Sequence, residues 1–197
     1  MGFVQEAGVK AEYAALVRDA AAGDRPAMER LLVRAQEAAY RFSLLVCGHP
    51  EDAEDVMQES LLKTYQHVKR ISDPSSFRTW LYTTVRNACL MKRRRRVGEP
   101  AAFVPFDDGD GLADRALAGL VDQSPSPDQQ LNSNWMDGRL RAALKRLPAS
   151  YRMIVIMREM EDLSTKEVAE ITGLSEANVK TRLRRARLML RRHLEAA

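Results

Sequence analysis

Apolar residues recur at the three- and four-residue spacing of α-helices along almost the whole chain, with a long interruption at residues 98–134. Before the interruption, this pattern predicts four helices, at about 11–22, 26–48, 51–70 and 77–96. After it, residues 135–195 predict four more helices, which break at Leu147-Pro148, at EDLS and at TGLS. Strand-like alternation is nearly absent. The sequence therefore predicts an all-α protein with two small helical domains, 1–97 and 135–197.

The interrupting segment differs from both flanks in composition. Residues 98–134 are rich in Gly, Pro, Ser and Asp, and they carry seven acidic residues against a single Arg115. Such a composition favours turns and extended chain over packed helices. We therefore expect a flexible, acidic linker between the two domains.

Composition narrows the functional class. Of the 197 residues, 45% are hydrophobic and 29% are charged, which is typical of a soluble globular protein. Neither a membrane-length apolar run nor a secretory leader is recognisable, so a cytoplasmic location without membrane insertion is expected. Cys47 and Cys89 lie in helical patterns outside any C-x-x-C pair and are interpreted as reduced core cysteines. The three histidines do not cluster with them, so no metal site is expected. Neither a nucleophile–base arrangement nor a phosphate-cradling glycine loop is recognisable, so neither an enzyme activity nor a cofactor is expected.

The segment STKEVAEITGLSEANVKTRL carries the spacing of a helix-turn-helix. Ser164 and Glu167 form an S-x-x-E capping box at the start of the first helix. Ala169 is the small residue at the helix crossing, Gly173 suits the left-handed turn, and Val179 anchors the second helix. Ser175 is placed to cap that second helix. These positions predict a DNA-binding unit, whereas a merely solvated basic helix would not need the turn pattern.

The last helix separates into an apolar face and a basic remainder. Seven cations and one acid lie between residues 175 and 192, a net charge of seven minus one, or +6. The N-terminal residues of such a helix meet base edges, and flanking cations meet phosphates. The candidate groove contacts are Glu176, Asn178, Lys180 and Thr181, and the candidate phosphate contacts are Arg184, Arg185 and Arg187.

Two helices of the first domain have unusual outer faces. The helix at 51–70 places acidic residues and Leu62 on the face opposite its apolar residues, which fits either a docking surface or an ordinary polar face. The helix at 77–96 ends in the cationic run Lys92–Arg96, a frequent phosphate-binding signal. Its aromatic residues fit either base stacking or a plain core: Phe77, Trp80 and Tyr82.

Taken together, DAEDVMQES, then FRTWLYTTVRNACLMKRRRR, an acidic linker and LPASYRMIVIMREMEDLSTKEVAEITGLSEANVKTRLRRAR resemble a bacterial RNA polymerase sigma factor of the extracytoplasmic-function (ECF) group. The resemblance covers nearly the whole chain outside the first residues and the linker. It implies a transcription initiation factor with two DNA-binding helical domains: sigma region 2 in 1–97 and sigma region 4 in 135–197.

The resemblance also implies roles for particular residues. Binding to core RNA polymerase falls to the acidic helix: Asp55, Gln58, Glu59 and Leu62. Recognition and melting of the promoter −10 element fall to a loop and the next helix: Arg70, Ser75, Ser76, Phe77, Arg78, Arg86, Asn87, Lys92, Arg93 and Arg94. Reading of the −35 element in the major groove falls to the helix-turn-helix: Ser175, Glu176, Asn178, Lys180, Thr181, Arg184, Arg185 and Arg187.

One position departs from the family pattern. Four residues after the asparagine of the RN pair the family commonly has an aspartate, and this chain has Met91. By analogy with the family, an anti-sigma factor is expected as a further partner. Two other hypotheses remain: a free-standing helix-turn-helix regulator that dimerises on paired half-sites, and a helical interaction protein whose basic surface is incidental.

Overall fold

The computed structural model describes residues 2–97 and 138–195, with side chains described for residues 8–92 and 138–195. The predicted linker at 98–134 lies outside these residues. The N-terminal domain contains α1 Gly2–Ala21, α2 Arg25–Cys47, α3 Pro50–His67, two 3-10 turns at Val68–Arg70 and Pro74–Ser76, and α4 Phe77–Val97. The C-terminal domain contains α5 Gly138–Arg146, α6 Ala149–Val155, a π-helical turn at Ile156–Met160, α7 Thr165–Thr172 and α8 Glu176–Glu195. The described ranges contain no strand, and the all-α prediction is confirmed.

Local capping sets the helix ends close to where the sequence placed them. The Asp24 side chain accepts a hydrogen bond from the backbone N–H of Ala27 at 3.0 Å, and Pro26 occupies the first turn of α2. Gly48 ends α2 in the left-handed conformation, at φ 83°. The prediction for α1 was too short: the helix begins at Gly2 and passes through Gly8, because one glycine weakens a helix without ending it.

Large side chains from α2 and α4 form the core of the N-terminal domain. Phe42 and Phe77 are fully buried, and the ring of Phe42 meets that of Tyr82 edge to face with centroids 5.3 Å apart. Trp80, predicted to lie inward, is partly buried, and its ring centroid lies 5.9 Å from that of Phe77. The plain-core interpretation of these aromatic residues therefore agrees with the structure better than base stacking does.

The two domains pack against each other in this structure. Helix α4 lies against α7, and α2 lies against α6. A single hydrophobic cluster contains core residues of both domains, including Leu31 and Leu81 of the first and Ile154, Met157 and Ile171 of the second. Within the described residues, no helix has both the length and the apolar character needed to cross a membrane.

The prediction of two reduced cysteines is wrong. Cys47, at the end of α2, and Cys89, in α4, are joined by a disulfide bond. Sequence patterns could not show this, because the two positions are 42 residues apart and meet only when α2 and α4 pack. The bond fastens the helix carrying the basic run to the centre of the N-terminal domain.

Removal of this disulfide should lower the free energy of unfolding. A cross-link over 42 residues restricts the unfolded chain, which corresponds to roughly 4 kcal/mol in the chain-entropy model. Urea unfolding of the oxidised protein, compared with protein treated with dithiothreitol, measures the difference. The Cys47→Ser, Cys89→Ser double variant is the control and should be insensitive to the reductant. Two titratable thiols in denatured, unreduced protein would contradict the disulfide.

Candidate nucleic-acid interface

The turn between α7 and α8 has the geometry that the sequence predicts. The Ser164 hydroxyl accepts from the backbone N–H of Glu167 at 3.1 Å, and the Glu167 carboxylate accepts from the backbone N–H of Ser164 at 2.8 Å. Gly173 ends α7 at φ 75°, and its N–H donates to the carbonyl of Ala169 at 2.8 Å. The Ser175 hydroxyl accepts from the backbone N–H of Asn178 at 3.2 Å. Both helices of the helix-turn-helix are therefore fixed by their own caps.

Helix α8 buries one face and exposes the residues assigned to DNA. Val179, Leu183 and Ala186 are buried, as predicted from their spacing, and Leu190 is partly buried. Asn178 is half-buried, and the other candidate contacts are exposed: Ser175, Glu176, Lys180, Thr181, Arg184, Arg185 and Arg187. Arg187 differs from the other two candidate arginines, because it forms an ion pair with Glu159 at 2.5 Å. The exposed N-terminal half of α8 is thus polar, with cations on its flank, as groove binding requires.

The predicted contacts in the loop before α4 and at the first residue of α4 differ in their exposure to solvent. Arg70 and Ser76 are exposed and Ser75 is half-buried. The Asp73 carboxylate accepts from both the side chain and the backbone N–H of Ser75, at 2.8 and 2.9 Å, and these hydrogen bonds lower the pKa of Asp73. Phe77 lies in the core with no exposed area, so the structure gives it a packing role in this conformation.

Two of the predicted contacts on helix α4 are kept away from solvent. Arg78 and Arg86 are 4% and 2% exposed, because both lie beneath the C-terminal domain. The side chain of Asn87 accepts a hydrogen bond from Arg86 at 3.2 Å. Lys92 pairs with Asp55 of α3 at 2.5 Å, and the side chains of Arg93 and Arg94 lie outside the described ones. The position of Met91, where the family commonly has aspartate, is half-buried.

Helix α3 presents the acidic stripe, which we define as Asp55, Gln58, Glu59 and Leu62. All four are exposed, and Leu62 retains 57% of its surface. Tyr65, which the sequence analysis missed, is 62% exposed one turn further on. Its signal was available, because it falls three residues after Leu62 and outside the apolar periodicity of α3. Two exposed apolar side chains beside carboxylates form a surface suited to a partner protein.

In the described part of the chain, no group of three or more His, Cys, Asp or Glu side chains is positioned to hold a metal ion. The described site residues include an exposed basic and polar surface on α8, the acidic stripe on α3, and two buried arginines on α4, Arg78 and Arg86. Surfaces of this kind suit the binding of nucleic acid and of partner proteins.

Comparison with known proteins assigns families to both domains. The family model of Sigma-70 region 2 matches residues 28–98, and the model of Sigma-70, region 4 matches residues 137–190. The chain is 31% identical over 186 residues to the ECF RNA polymerase sigma factor SigL of Mycobacterium tuberculosis, covering 92% of this chain and 96% of that protein. It is 30% identical over 177 residues to ECF RNA polymerase sigma factor SigE of Mycolicibacterium smegmatis, covering 88% of this chain and 65% of that protein.

Solved structures show the same fold. CnrH in complex with the cytosolic domain of CnrY matches with a TM-score of 0.62 at 23% identity, over 94% of this chain and 98% of that one. The sigma factor RpoE, in complex with the anti-sigma factor NepR from Bartonella quintana, matches with a TM-score of 0.59 at 24% identity, over 85% and 96%. At these identities the likeness concerns the fold.

The turn at Gly173 generates a test of the helix-turn-helix. Gly173→Ala should lower the free energy of unfolding by about 1–2 kcal/mol, because a Cβ is unfavourable at positive φ. Gly138→Ala is the matched control: a Cβ has open space at both positions, but the control glycine lacks the positive φ. Chemical denaturation of the two variants measures the effect. Equal changes in both would contradict the role given to this turn.

Proposed function

This chain belongs to the ECF RNA polymerase sigma factors, and we propose that it binds core RNA polymerase and directs it to promoters through their −10 and −35 elements. The observation that carries the proposal is the exposed polar and basic N-terminal half of α8, held by a capped helix-turn-helix, in a chain whose other domain is of the region 2 family. A promoter-directing factor needs both kinds of domain, because the two promoter elements are read by separate surfaces.

The acidic stripe on α3 is the proposed polymerase-binding surface. Asp55, Gln58 and Glu59 supply polar and charged groups, and Leu62 with Tyr65 adds apolar area at the same side of the helix. Asp55 and Glu59 already have lysine partners, Lys92 and Lys63, at 2.5 and 2.6 Å. Exposed ion pairs of this kind are weak, so their carboxylates can be transferred to cations of a partner at little cost.

Promoter recognition is divided between the domains. We assign the −35 element to Ser175, Glu176, Asn178, Lys180 and Thr181, with Arg184, Arg185 and Arg187 on the phosphates. The −10 element is assigned to the loop before α4 and to α4 itself, without the core residue Phe77: Arg70, Ser75, Ser76, Arg78, Arg86, Asn87, Lys92, Arg93 and Arg94. A melted −10 strand presents unpaired bases and phosphates, which suits a surface that combines arginine, asparagine and hydroxyl groups.

An anti-sigma factor is the further partner that we propose. The two solved structures of this fold are complexes, of RpoE with the anti-sigma factor NepR and of CnrH with the cytosolic domain of CnrY. In keeping with action on RNA polymerase, we also propose a cytoplasmic location and no enzymatic activity for the chain. The boundaries 1–97, 98–134 and 135–197 remain the proposed division into region 2, linker and region 4.

Run-off transcription tests the function directly. Core polymerase, alone or with this protein, would be given fragmented genomic DNA of the source organism, and discrete transcripts should appear only with the protein. The Asp55→Ala, Glu59→Ala variant should reduce them at least tenfold, because it removes two charges from the acidic stripe. The Glu29→Ala, Glu37→Ala variant is the control with the same loss of charge on exposed positions of α2. Absence of transcripts, with polymerase-independent DNA binding, would favour a free-standing regulator.

The phosphate contacts generate a second test, on the promoter recovered by that assay. With core polymerase present, the Arg184→Ala, Arg185→Ala variant should bind more weakly, and its slope of log affinity against log salt should be smaller by about 2, since each lost phosphate contact removes about 0.9. Arg191→Ala is the control, because that exposed arginine pairs with Glu195 at 2.7 Å. Slopes that match the wild type would contradict the assignment of Arg184 and Arg185 to phosphates.

A further inference from the structure

A buried carboxylate stands at the contact between the two domains. Glu161 follows the π-helical turn of the C-terminal domain, and its side chain is 1% exposed. Arg41 of α2 donates to both carboxylate oxygens, from Nε at 2.7 Å and from Nη2 at 2.6 Å. The hydroxyl of Tyr82 in α4 donates to the same carboxylate at 2.5 Å. In the described part of the chain, every hydrogen bond that this side chain accepts therefore comes from the opposite domain.

The backbone around Glu161 is held by its own domain. The N–H of Glu161 donates to the carbonyl of Ile156 at 3.0 Å, and the N–H of Leu163 donates to the carbonyl of Met157 at 3.0 Å. The turn therefore keeps its shape without the contact, whereas the side chain depends on Arg41 and Tyr82. Pairing with Glu161 raises the pKa of Arg41, and burial raises the pKa of Tyr82, so both donors keep their protons at neutral pH.

The same contact covers two of the residues assigned to the −10 element. Arg78 donates from Nη2 to the backbone carbonyl of Glu161 at 2.5 Å, and Arg86 donates from Nη1 to the carbonyl of Ile171 at 3.2 Å. Both carbonyls belong to the C-terminal domain, and both arginines are almost fully buried. DNA cannot reach either guanidinium while the domains stay packed in this way.

In the packed arrangement, one hydrogen-bond donor of Arg78 lacks an acceptor. Its Nη1 atom is buried and has no hydrogen-bond partner among the described residues. A buried donor without an acceptor destabilises the state that contains it, and a phosphate oxygen would supply that acceptor once the domains part. The contact around Glu161 thus holds Arg78 in a state where one of its donors lacks an acceptor, whereas an anionic ligand would supply that acceptor.

We propose that Glu161 is a latch: its pairing with Arg41 and Tyr82 holds the C-terminal domain over Arg78 and Arg86, and the domains must separate before these arginines meet DNA. This regulation rests on the proposed function, because it takes Arg78 and Arg86 as −10 contacts. Separation returns Glu161, Arg41 and both promoter arginines to solvent together, so a single contact controls all of them.

Neutralising the carboxylate should release the latch. Glu161→Gln keeps the size of the side chain but leaves the Arg41 guanidinium against a neutral amide, and the amide nitrogen faces Arg41 and Tyr82, which also donate. Both effects penalise only the packed state, because the separated domains expose these groups to water. Arg41→Gln removes the other partner from the opposite domain and should have the same effect. Glu170→Gln, on an exposed position of α7, is the matched control.

Small-angle X-ray scattering on the full chain measures the latch without reference to function. The wild type and the Glu170→Gln control should have a smaller radius of gyration than Glu161→Gln and Arg41→Gln, near the roughly 16 Å that a compact chain of this length has. Circular dichroism checks that helix content is unchanged, and Arg41→Gln carries the test if Glu161→Gln loses helix. An unchanged radius in a folded variant overturns the latch.

A DNA-binding assay measures whether separation of the domains makes Arg78 and Arg86 available to DNA. The probe is a fluorescent 20-base single-stranded oligonucleotide of mixed sequence, followed by anisotropy without polymerase. Glu161→Gln should bind it about tenfold more tightly, since charge-assisted contacts from two arginines become available. Adding Arg78→Ala and Arg86→Ala should return the affinity to that of the wild type. A larger radius with unchanged affinity would support the latch and overturn the assignment of these arginines to DNA.

Discussion

The buried carboxylate of Glu161 is the interaction on which the arrangement of the two domains depends. A carboxylate with 1% exposure is costly unless cationic and hydroxyl donors surround it, and here they come from α2 and α4. Breaking a buried pair by removing one partner typically costs about 3–5 kcal/mol. Hydrophobic contacts between the domains tolerate small shifts, but two hydrogen bonds from one guanidinium do not. The polar contact therefore selects one arrangement from the many that apolar packing would allow.

Local features of the fold were readable from the sequence because their partners are close along the chain. The capping box of Ser164 and Glu167, the left-handed Gly173 and the buried face of α8 all rest on spacings of three or four residues or on a single glycine. The candidate surfaces of α3 and α8 followed from the same periodicity, since an exposed face is the complement of a buried one. This accounts for the agreement on helix order, on the turn and on most exposed contacts.

Contacts between segments that are distant along the chain could not be predicted from the sequence. Arg41 and Tyr82 meet Glu161 across 120 and 79 residues, and Glu161 itself stands in a turn where a solvated acid is the ordinary expectation. The burial of Arg78 and Arg86 and the bond between Cys47 and Cys89 have the same origin, because each requires knowing which helices pack together. Phe77 was assigned to DNA or to the core, and packing against Tyr13 and Trp80 places it in the core.

The exposed and buried surfaces imply an order of events. In the packed arrangement the acidic stripe of α3 and the N-terminal half of α8 are exposed, while Arg78 and Arg86 are covered. Polymerase can therefore reach its proposed surface before the domains separate, whereas the −10 element cannot reach both of its arginines. A partner shifts such an equilibrium only by its difference in affinity for the two arrangements. If polymerase holds the two domains at separate places, its binding energy opposes the contact at Glu161. Promoter contacts by Arg78 and Arg86 then become coupled to polymerase binding, which disfavours engagement of DNA by the free protein.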